Sequence, residues 1–416
     1  MNYKQTMQWI QGFSKSGSPV KNLDRIANLL NALGNPEEKL TCIHIAGTNG
    51  KGSVAEYLTN ILKNSGYKTG TLTSPYIKHY RDRIRINSQD IPENKLCELC
   101  EKVALVATRA DYSQFEITMA IAFLYFAQEN TDFVILETGI GGLLDATNII
   151  KKPLVSILTS VSRDHMQILG NNIEEIAMHK AGIIKESCPV VISPNNKAEK
   201  IFRQVAEEKH SEIFMPDMKF CEKKKIDLNG CEFHYQNQDY QIKMGGHHQI
   251  ENALTVLEAI QVLKNNYKYL ISEEAIKKAL AETVVAGRIQ VLQTNPLVIL
   301  DGGHNADGIG VLTNLLSESG IDSWIGICGM TNTKDANVTA FQLALVLSKV
   351  LCVDGFSETS MPKEQLQKAF IQQHALANII ELEQALPYAL KWAKGSHGAV
   401  VICGSLYLTS WYLNQN

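Results

Sequence analysis

Short apolar runs rich in β-branched residues alternate with longer stretches of helical spacing in the first half of the chain. Residues 54–62 carry an apolar helical face, and residues 115–126 are apolar nearly all round, as in a buried helix. The short runs are TCIHIA (41–46), DFVILE (132–137), LVSILTS (154–160) and PVVIS (189–193). Continuous apolar strands that alternate with helices are typical of a parallel sheet covered on both faces, so the pattern predicts an α/β fold.

The pattern changes near residue 211. Residues 211–246 are polar, and short alternating pieces around Asn229-Gly230 indicate a hairpin. A second β/α series follows Gly287-Arg288. Its predicted strands are LVILDG (297–302), WIGICG (324–329), KVLCVDG (349–355) and AVVICG (399–404). We therefore predict two domains, residues 1–287 and residues 288–416.

Composition narrows the functional class. A length of 416 residues favours two domains, because a single core rarely grows this large. A net charge of −3 argues against sequence-independent nucleic-acid binding, and no apolar run is long enough to span a membrane. Nine scattered cysteines favour reduced thiols in a cytoplasmic protein, and the C-x-x-C of Cys97 and Cys100 is interpreted as two helix cysteines.

A glycine-rich loop joins the predicted strand 41–46 to the helical stretch 54–62. Its residues are Gly47, Thr48, Asn49, Gly50, Lys51, Gly52 and Ser53. A strand-loop-helix order directs backbone N–H groups and the positive helix end at an anion, and the Lys51 charge suits β/γ-phosphates. We predict ATP as the ligand. The strict pattern G-x-x-x-x-G-K-[ST] is not met, since Ile45 and Gly52 break it, so a plain glycine-rich turn is the alternative.

Polar residues also follow two other predicted strands. Glu137 ends the run 132–137, and Asp164-His165 follow the run 154–160. Open α/β sheets bind ligands at the carboxyl ends of their strands, and a carboxylate there can hold Mg²⁺ against phosphates. A turn-capping glutamate and a structural histidine are the alternatives.

AGTNGKGS (46–53), followed by Thr73-Ser74-Pro75 and by RIRIN (83–87), resembles the folylpolyglutamate synthase and dihydrofolate synthase family of Mur-type amide ligases. The resemblance covers the whole chain. Later matching segments, in order, are 137–148, Asp164-His165, 180–183, His248-Gln249 with Asn252-Ala253, Gly287-Arg288, 301–305 and 404–408. The resemblance implies an N-terminal P-loop-type ATPase domain with a mainly parallel sheet flanked by helices. It also implies a smaller, Rossmann-like C-terminal α/β domain of the Mur-ligase type.

The activity that this resemblance implies is ATP-dependent ligation of an acid to an amino acid. Family members phosphorylate a carboxylate with ATP, and an amine then attacks the acyl phosphate. We expect addition of L-glutamate to the γ-carboxylate of a reduced folate by a monomeric enzyme. Three alternatives are open: a bifunctional enzyme that also joins glutamate to dihydropteroate, a ligase for another carboxylic acid, and a nucleotide-binding protein without ligase activity.

The resemblance assigns roles to residues before position 200. Lys51, His165 and Lys180 are implied to be catalytic. Ser74 and Glu137 would ligate a first Mg²⁺, and His165 would ligate a second. Lys180 matches a lysine that family members carry as a carbamate, which would place oxygen donors near the second metal. The alternative for Lys180 is a solvated helix lysine.

Four further implied nucleotide contacts lie later in the chain. Asn252 matches a residue that contacts the base, while Arg288, Asp301 and His304 match residues that contact ATP. Arg288 is also implied to be catalytic, because an arginine at the domain boundary can reach the γ-phosphate when the domains close. Lys334-Asp335 is interpreted either as part of the substrate region or as a surface turn.

Several positions depart from the family pattern. Tyr76, Leu143 and His179 stand where the family commonly has His, Arg and Glu. Arg163 replaces an apolar residue, and Ala306 follows His304-Asn305 where proline is common. None of these positions is an implied metal ligand. The resemblance implies that Tyr76 and Leu143 flank the side of the acid substrate, so they bear on which acid is bound.

Overall fold

Helices and strands alternate along the chain in the order that the hydrophobic pattern predicts. The structure, a computed structural model, describes residues 1–14, 22–107 and 112–415. The helices are α1 (Tyr3–Gln11), α2 (Asp24–Ala32), α3 (Lys51–Asn64), α4 (Glu93–Ala104), α5 (Gln114–Gln128), α6 (Met166–Leu169), α7 (Ile173–Ala181), α8 (Glu199–Glu208), α9 (His247–Tyr267), α10 (Glu273–Glu282), α11 (Ala306–Glu318), α12 (Ala336–Ala344), α13 (Lys363–Gln372), α14 (Leu382–Ser396) and α15 (Leu406–Leu413). Short 3₁₀ turns cover Pro36–Lys39, Tyr80–Arg83, Ala146–Ile149 and Met218–Phe220.

The strands coincide with the predicted apolar runs and include additional short ones. They are β1 (Cys42–Ala46), β2 (Thr69–Leu72), β3 (Ile84–Ile86), β4 (Gln89–Asp90), β5 (Phe133–Glu137), β6 (Val155–Leu158), β7 (Val190–Ile192), β8 (Ile213–Phe214), β9 (Cys221–Asp227), β10 (Gly230–Tyr235), β11 (Gln238–Ile242), β12 (Gln290–Thr294), β13 (Leu297–Leu300), β14 (Trp324–Cys328), β15 (Lys349–Cys352), β16 (Ala377–Ile379) and β17 (Ala399–Cys403). In the part of the chain that the structure describes, every helix is too short or too polar to cross a membrane.

The chain folds into two compact units, and each is built from separated segments. The first contains Met1–Cys221 and Glu251–Thr283, and the second contains Glu222–Ile250 and Val284–Asn416. Leu228, from the inserted segment of the second unit, belongs to the same apolar core as Ile289 and Trp324, which accounts for the membership of that segment. The sequence-based ranges 1–287 and 288–416 stay a prediction.

The first unit is built on an eight-stranded sheet in the order β4-β3-β2-β5-β1-β6-β7-β8. β1 lies between β5 and β6, parallel to both, and Ile43 is paired with Ile135 on one side and Val155 on the other. The side chains of these three strands are all buried. Because parallel strands end at the same edge, the loops after β1, β5 and β6 emerge together.

Two helices of the first unit show why the local sequence folds as it does. Every residue of α5 from Phe115 to Phe126 is buried, as the apolar pattern predicts. The helix starts at a capping box in which the Ser113 and Glu116 side chains satisfy each other's backbone N–H groups. Cys97 and Cys100 lie on α4 as free thiols, which confirms their interpretation as helix cysteines.

The second unit contains two sheets. The predicted hairpin is confirmed, since β9 and β10 are neighbours joined by residues 228–229. A second tight turn at Gln236-Asn237, where both residues have positive φ, extends this hairpin to three strands. The larger sheet has the order β12-β13-β17-β14-β15-β16, parallel except for β12. The predicted α/β class is therefore correct for both units.

Candidate active site

The glycine-rich loop leaves the end of β1, as predicted, but α3 begins at Lys51, three residues before the predicted helical stretch 54–62. Two of its glycines are required by close neighbours. A Cβ atom at Gly47 would lie 1.7 Å from Thr159 Oγ1, and a Cβ atom at Gly50 would lie 2.5 Å from Asn252 Oδ1. Gly50 also has φ +90°, a conformation that side chains disfavour. Asn252, on α9, therefore lies directly against the loop.

Lys51, Ser74 and Glu137 come together although they are distant in sequence. Ser74 N–H donates to Glu137 Oε2 at 3.1 Å, and Lys51 Nζ lies 3.9 Å from Glu137 Oε1. Lys51 also donates to the carbonyl oxygens of Gly47 and Thr48, at 3.1 and 3.3 Å. The Glu137 side chain is almost fully buried, so this carboxylate faces the loop in a restricted space.

Lys180 lies beneath the same loop. Only 3% of its surface is exposed, and its amine donates to the Gly47 carbonyl oxygen at 2.8 Å. Burial and the nearby Lys51 charge lower the Lys180 pKa to about 7, against the opposing effects of Asp164 and Asp145. The interpretation of Lys180 as a solvated helix lysine is therefore wrong.

His165 lies at the surface, immediately before α6. Its φ is +50°, and its backbone N–H donates to Asp164 Oδ1 at 2.8 Å. Within the described ranges, no three His, Cys, Asp or Glu side chains lie close enough together to hold a metal ion by themselves. The pair Ser74 and Glu137 nevertheless fits Mg²⁺, since that ion keeps several waters and takes one or two protein oxygens plus phosphates.

The other predicted nucleotide contacts lie in the second unit. Asp301 is buried, and its two carboxylate oxygens accept N–H groups from Ile289 (3.0 Å) and Gly303 (2.8 Å). Burial raises the Asp301 pKa, while the Arg288 guanidinium opposes this shift. His304 Nδ1 lies 3.0 Å from the Gly302 carbonyl oxygen. Asp301 thus fixes the backbone that directly follows Arg288.

Two positions that depart from the family pattern are neighbours. Leu143 N–H donates to the His179 carbonyl oxygen at 2.6 Å, and the Leu143 side chain is about half exposed. Near Ser74, the Arg83 guanidinium lies over the rings of Tyr76 and Tyr80, at 5.1 and 5.6 Å from their centroids. Tyr76 therefore contributes an aromatic face beside a cation, which the sequence alone did not indicate.

Asp335 caps α12, because its side chain accepts the N–H groups of Asn337 and Val338.

The structure also shows positioning residues that the sequence did not single out. Asp145 Oδ2 accepts the N–H groups of Gly139 and Ile140, at 2.9 and 3.0 Å, and so shapes the loop directly after Glu137. Thr147 bonds Asp145 Oδ1 and contacts His44 on β1. These contacts depend on the strand order that places β1 beside β5 and β6, and no local sequence motif encodes that order.

Two family models match successive parts of the chain. Residues 45–260 match the Mur ligase middle domain, and residues 287–406 match the Mur ligase, glutamate ligase domain. The fold and the phosphate loop thus define a Mur-type ligase. More specifically, the chain belongs to the folylpolyglutamate synthase/dihydrofolate synthase family, as its relatives indicate.

Three relatives document this membership. A dihydrofolate synthase/folylpolyglutamate synthase from Bacillus subtilis is 34% identical over 98% of this chain and 97% of its own length. A folylpolyglutamate synthase from Lacticaseibacillus casei is 32% identical over 99% of this chain and 97% of its own. The structure of E. coli FolC in complex with DHPP and ADP has a TM-score of 0.86 and 25% identity, covering 100% of this chain and 97% of that one. The predicted family, fold class and ligase class are confirmed, while the individual residue roles stay predictions.

Proposed function

We propose that this protein is an ATP-dependent ligase that joins L-glutamate to the γ-carboxylate of a reduced folate through an acyl phosphate. The observation that carries the proposal is the meeting of three groups: the Gly47–Ser53 loop, the Lys51 amine, and the Glu137 carboxylate bonded to Ser74 N–H. This site suits a metal-bound triphosphate, because the lysine can bind the phosphates while the carboxylate beside it can bind the metal ion. The ADP in the E. coli FolC complex supports the same ligand class.

The chemical difficulty is that a carboxylate is a poor electrophile whose charge repels the triphosphate. Phosphoryl transfer is catalysed mainly by positioning and by electrostatic stabilisation. In the proposed function, the loop N–H groups orient the β- and γ-phosphates, and Lys51 moves its amine from the Gly47 and Thr48 carbonyl oxygens to the transferred group. Ser74 and Glu137 would hold Mg²⁺, which supplies positive charge to the phosphate oxygens when bound.

Lys180 is proposed to carry the carbamate that the family resemblance implies. A neutral amine is the form that attacks carbon dioxide, and the pKa of about 7 leaves a large neutral fraction at neutral pH. The new N–C bond forms as the amine loses a proton, and the product is an anionic oxygen donor. Its proposed neighbour is His165, with a second Mg²⁺ as the group that both would hold.

In the second unit, Arg288, Asp301 and His304 are proposed to contact ATP. Asp301 accepts the N–H of Ile289, and this bond supports a role in orienting the adjacent Arg288. Asn252, against Gly50 of the loop, is proposed to contact the base. We expect a monomer that takes small-molecule substrates.

A bifunctional enzyme is the second candidate. The Bacillus subtilis relative carries both activities in its name, whereas the Lacticaseibacillus casei relative is named for folylpolyglutamate synthesis alone. Dihydropteroate and reduced folate differ in whether a first glutamate is already present. The two activities therefore share the ATP chemistry and differ only in the acid that is offered.

The test supplies purified protein with ATP, Mg²⁺ and L-glutamate, and offers tetrahydrofolate or dihydropteroate in separate reactions. Phosphate release and product mass are measured. Ligation of tetrahydrofolate alone supports the first candidate, and ligation of both acids supports the bifunctional one. ATP binding without ligation of either acid contradicts both.

Lys51→Ala is expected to lower turnover at least a thousandfold, because the transferred phosphoryl group loses its cation. Lys63→Ala, which removes a lysine at the opposite end of α3, is the matched control and is expected to keep wild-type turnover. Full activity in Lys51→Ala would refute the assignment of the phosphate loop.

A further inference from the structure

The carbonyl oxygens of residues 47–50 in the phosphate loop all accept hydrogen bonds, and that of Asn49 differs from the other three in its donors. Those of Gly47 and Thr48 accept from Lys51, and the Gly47 oxygen also accepts from Lys180. The Gly50 carbonyl accepts the helical N–H of Val54. The Asn49 carbonyl, in contrast, accepts from two hydroxyls that come from outside the loop.

These hydroxyls belong to Thr159 and Ser160, directly after β6. Thr159 Oγ1 donates to the Asn49 carbonyl oxygen at 2.8 Å, and Ser160 Oγ donates to the same oxygen at 3.2 Å. Thr48 N–H donates in return to the Ser160 carbonyl oxygen at 2.7 Å, and Asn49 and Ser160 form an isolated antiparallel bridge. The loop is thus joined to the end of the neighbouring strand.

Thr159 is itself rigidly held. Its side chain is fully buried, and its N–H donates to the Ala46 carbonyl oxygen at 2.8 Å. Its carbonyl oxygen accepts from Asn196 Nδ2 at 2.9 Å. The Thr159 hydroxyl also lies where a side chain at Gly47 would be, so it fixes the distance between loop and strand. A donor with both backbone groups bonded loses little conformational entropy when it binds the loop.

We propose that Thr159 and Ser160 are positioning residues for the phosphate loop, which hold the Asn49 carbonyl oxygen away from the bound phosphates. A carbonyl oxygen carries partial negative charge and repels phosphate, whereas the N–H groups of the same loop attract it. When Lys51 turns to the transferred phosphoryl group, the Gly47 and Thr48 carbonyls lose its amine. The Asn49 carbonyl keeps the Thr159 donor, because Thr159 is buried and both of its backbone groups are hydrogen-bonded. This inference rests on the proposed ATP site.

The test compares MgADP with AMP, since ADP has the β-phosphate that the loop is proposed to bind and AMP lacks it. MgADP affinity is measured by calorimetry, and AMP affinity by competition. Thr159→Val keeps the shape of the side chain but removes the donor. We expect MgADP to bind at least tenfold more weakly while AMP affinity changes less than twofold. Thr159→Ser keeps a hydroxyl and is expected to bind MgADP within threefold of the wild type.

The matched control is Thr71→Val, in a fully buried strand threonine whose hydroxyl contacts Thr59 at 2.7 Å. It is expected to lower the melting temperature without changing the ratio of ADP to AMP affinity. Ser160 is exposed, so Ser160→Ala tests the positioning role without risk to folding. We expect this variant to bind MgADP about threefold more weakly than the wild type.

Two failures are distinguishable. If the wild type does not prefer MgADP to AMP, the proposed ATP site is wrong and the inference falls with it. If the wild type shows the preference and both Thr159→Val and Ser160→Ala keep it, the ATP site stands and the positioning role is refuted.

Discussion

Lys180 shows how burial changes the chemistry of a single residue. Its amine and that of Lys51 both donate to the Gly47 carbonyl oxygen, so two lysine side chains share one acceptor, and Lys180 is almost fully buried. Desolvation and mutual repulsion both favour the neutral amine, and Lys180, the more buried of the two, has its pKa lowered to about 7. The Lys180 amine is therefore a much weaker base in the fold than an ordinary lysine.

Lys180→Met tests this shift through stability. The Lys180 pKa is about 7 in the fold and 10.5 in an ordinary lysine, so between these values the unfolded chain binds more protons. The free energy of unfolding of the wild type therefore rises with pH across this interval. Below pH 7 the amine is charged in the folded protein, and the full cost of burying that charge is present. We expect Lys180→Met to stabilise the protein most at pH 6, with an advantage about 3 kcal/mol smaller at pH 9.

The measurement is urea unfolding at both pH values in buffers free of carbon dioxide. Lys200→Met, which replaces an exposed lysine of α8, is the control and should show the same stability difference at both pH values. Parallel stability curves for the wild type and Lys180→Met would show that the amine keeps an ordinary pKa.

The elements of the fold were largely predictable, whereas the contacts between them were not. The apolar runs locate β1, β5 and β6 because buried parallel strands are apolar on both faces. The glycine-rich motif likewise locates the phosphate loop. The Thr159 contact and the burial of Lys180 depend on which strands are neighbours, and no local pattern contains that information.

The start of α5 gives a prediction for one element. Ser113 Oγ donates to the buried Glu116 carboxylate at 2.7 Å, and Arg25 binds that carboxylate with two further bonds. Ser113→Ala removes the acceptor of the Glu116 N–H and one of the donors to this buried carboxylate, which keeps the Ser113 N–H and Arg25. We expect a loss of about 2 kcal/mol in the free energy of unfolding.

Ser272→Ala at α10 is the matched control, since Ser272 is an exposed cap whose hydroxyl accepts the N–H of Ala275 and has no carboxylate partner among the contacts described for it. We expect this variant to lose about 0.5 to 1 kcal/mol. Urea unfolding of both variants decides the matter, and equal losses would mean that the Glu116 network adds nothing to an ordinary cap.

At the scale of the whole molecule, the chain passes between its two units after Cys221, Ile250 and Thr283. The sequence indicates a change of composition near residue 211, but composition cannot tell which core a segment joins. The Leu228 side chain is buried in the core that contains Trp324, which assigns residues 222–250 to the second unit. A cut at residue 287 therefore removes the core against which residues 222–250 pack.

Two fragments test this organisation. Residues 1–287 are expected to aggregate, because Leu228 and its neighbours lose their apolar core. The same 1–287 fragment with residues 222–250 replaced by a flexible linker of about ten residues is expected to be monomeric in size-exclusion chromatography. A well-behaved 1–287 fragment together with an aggregating linker version would contradict the assignment of the inserted segment.

The segmented first unit has a consequence for how the protein is made. The phosphate loop is encoded near residue 50, but Asn252 lies against Gly50, and α10 packs on α3, the helix that the loop starts. Both partners follow the inserted segment 222–250 in the chain. Because a domain folds as a unit once its residues have left the ribosome, a nascent chain carries an incomplete phosphate loop until α10 has been synthesised. Premature termination after Ser53 and before Thr283 would thus yield chains that contain the whole nucleotide motif and lack part of its support.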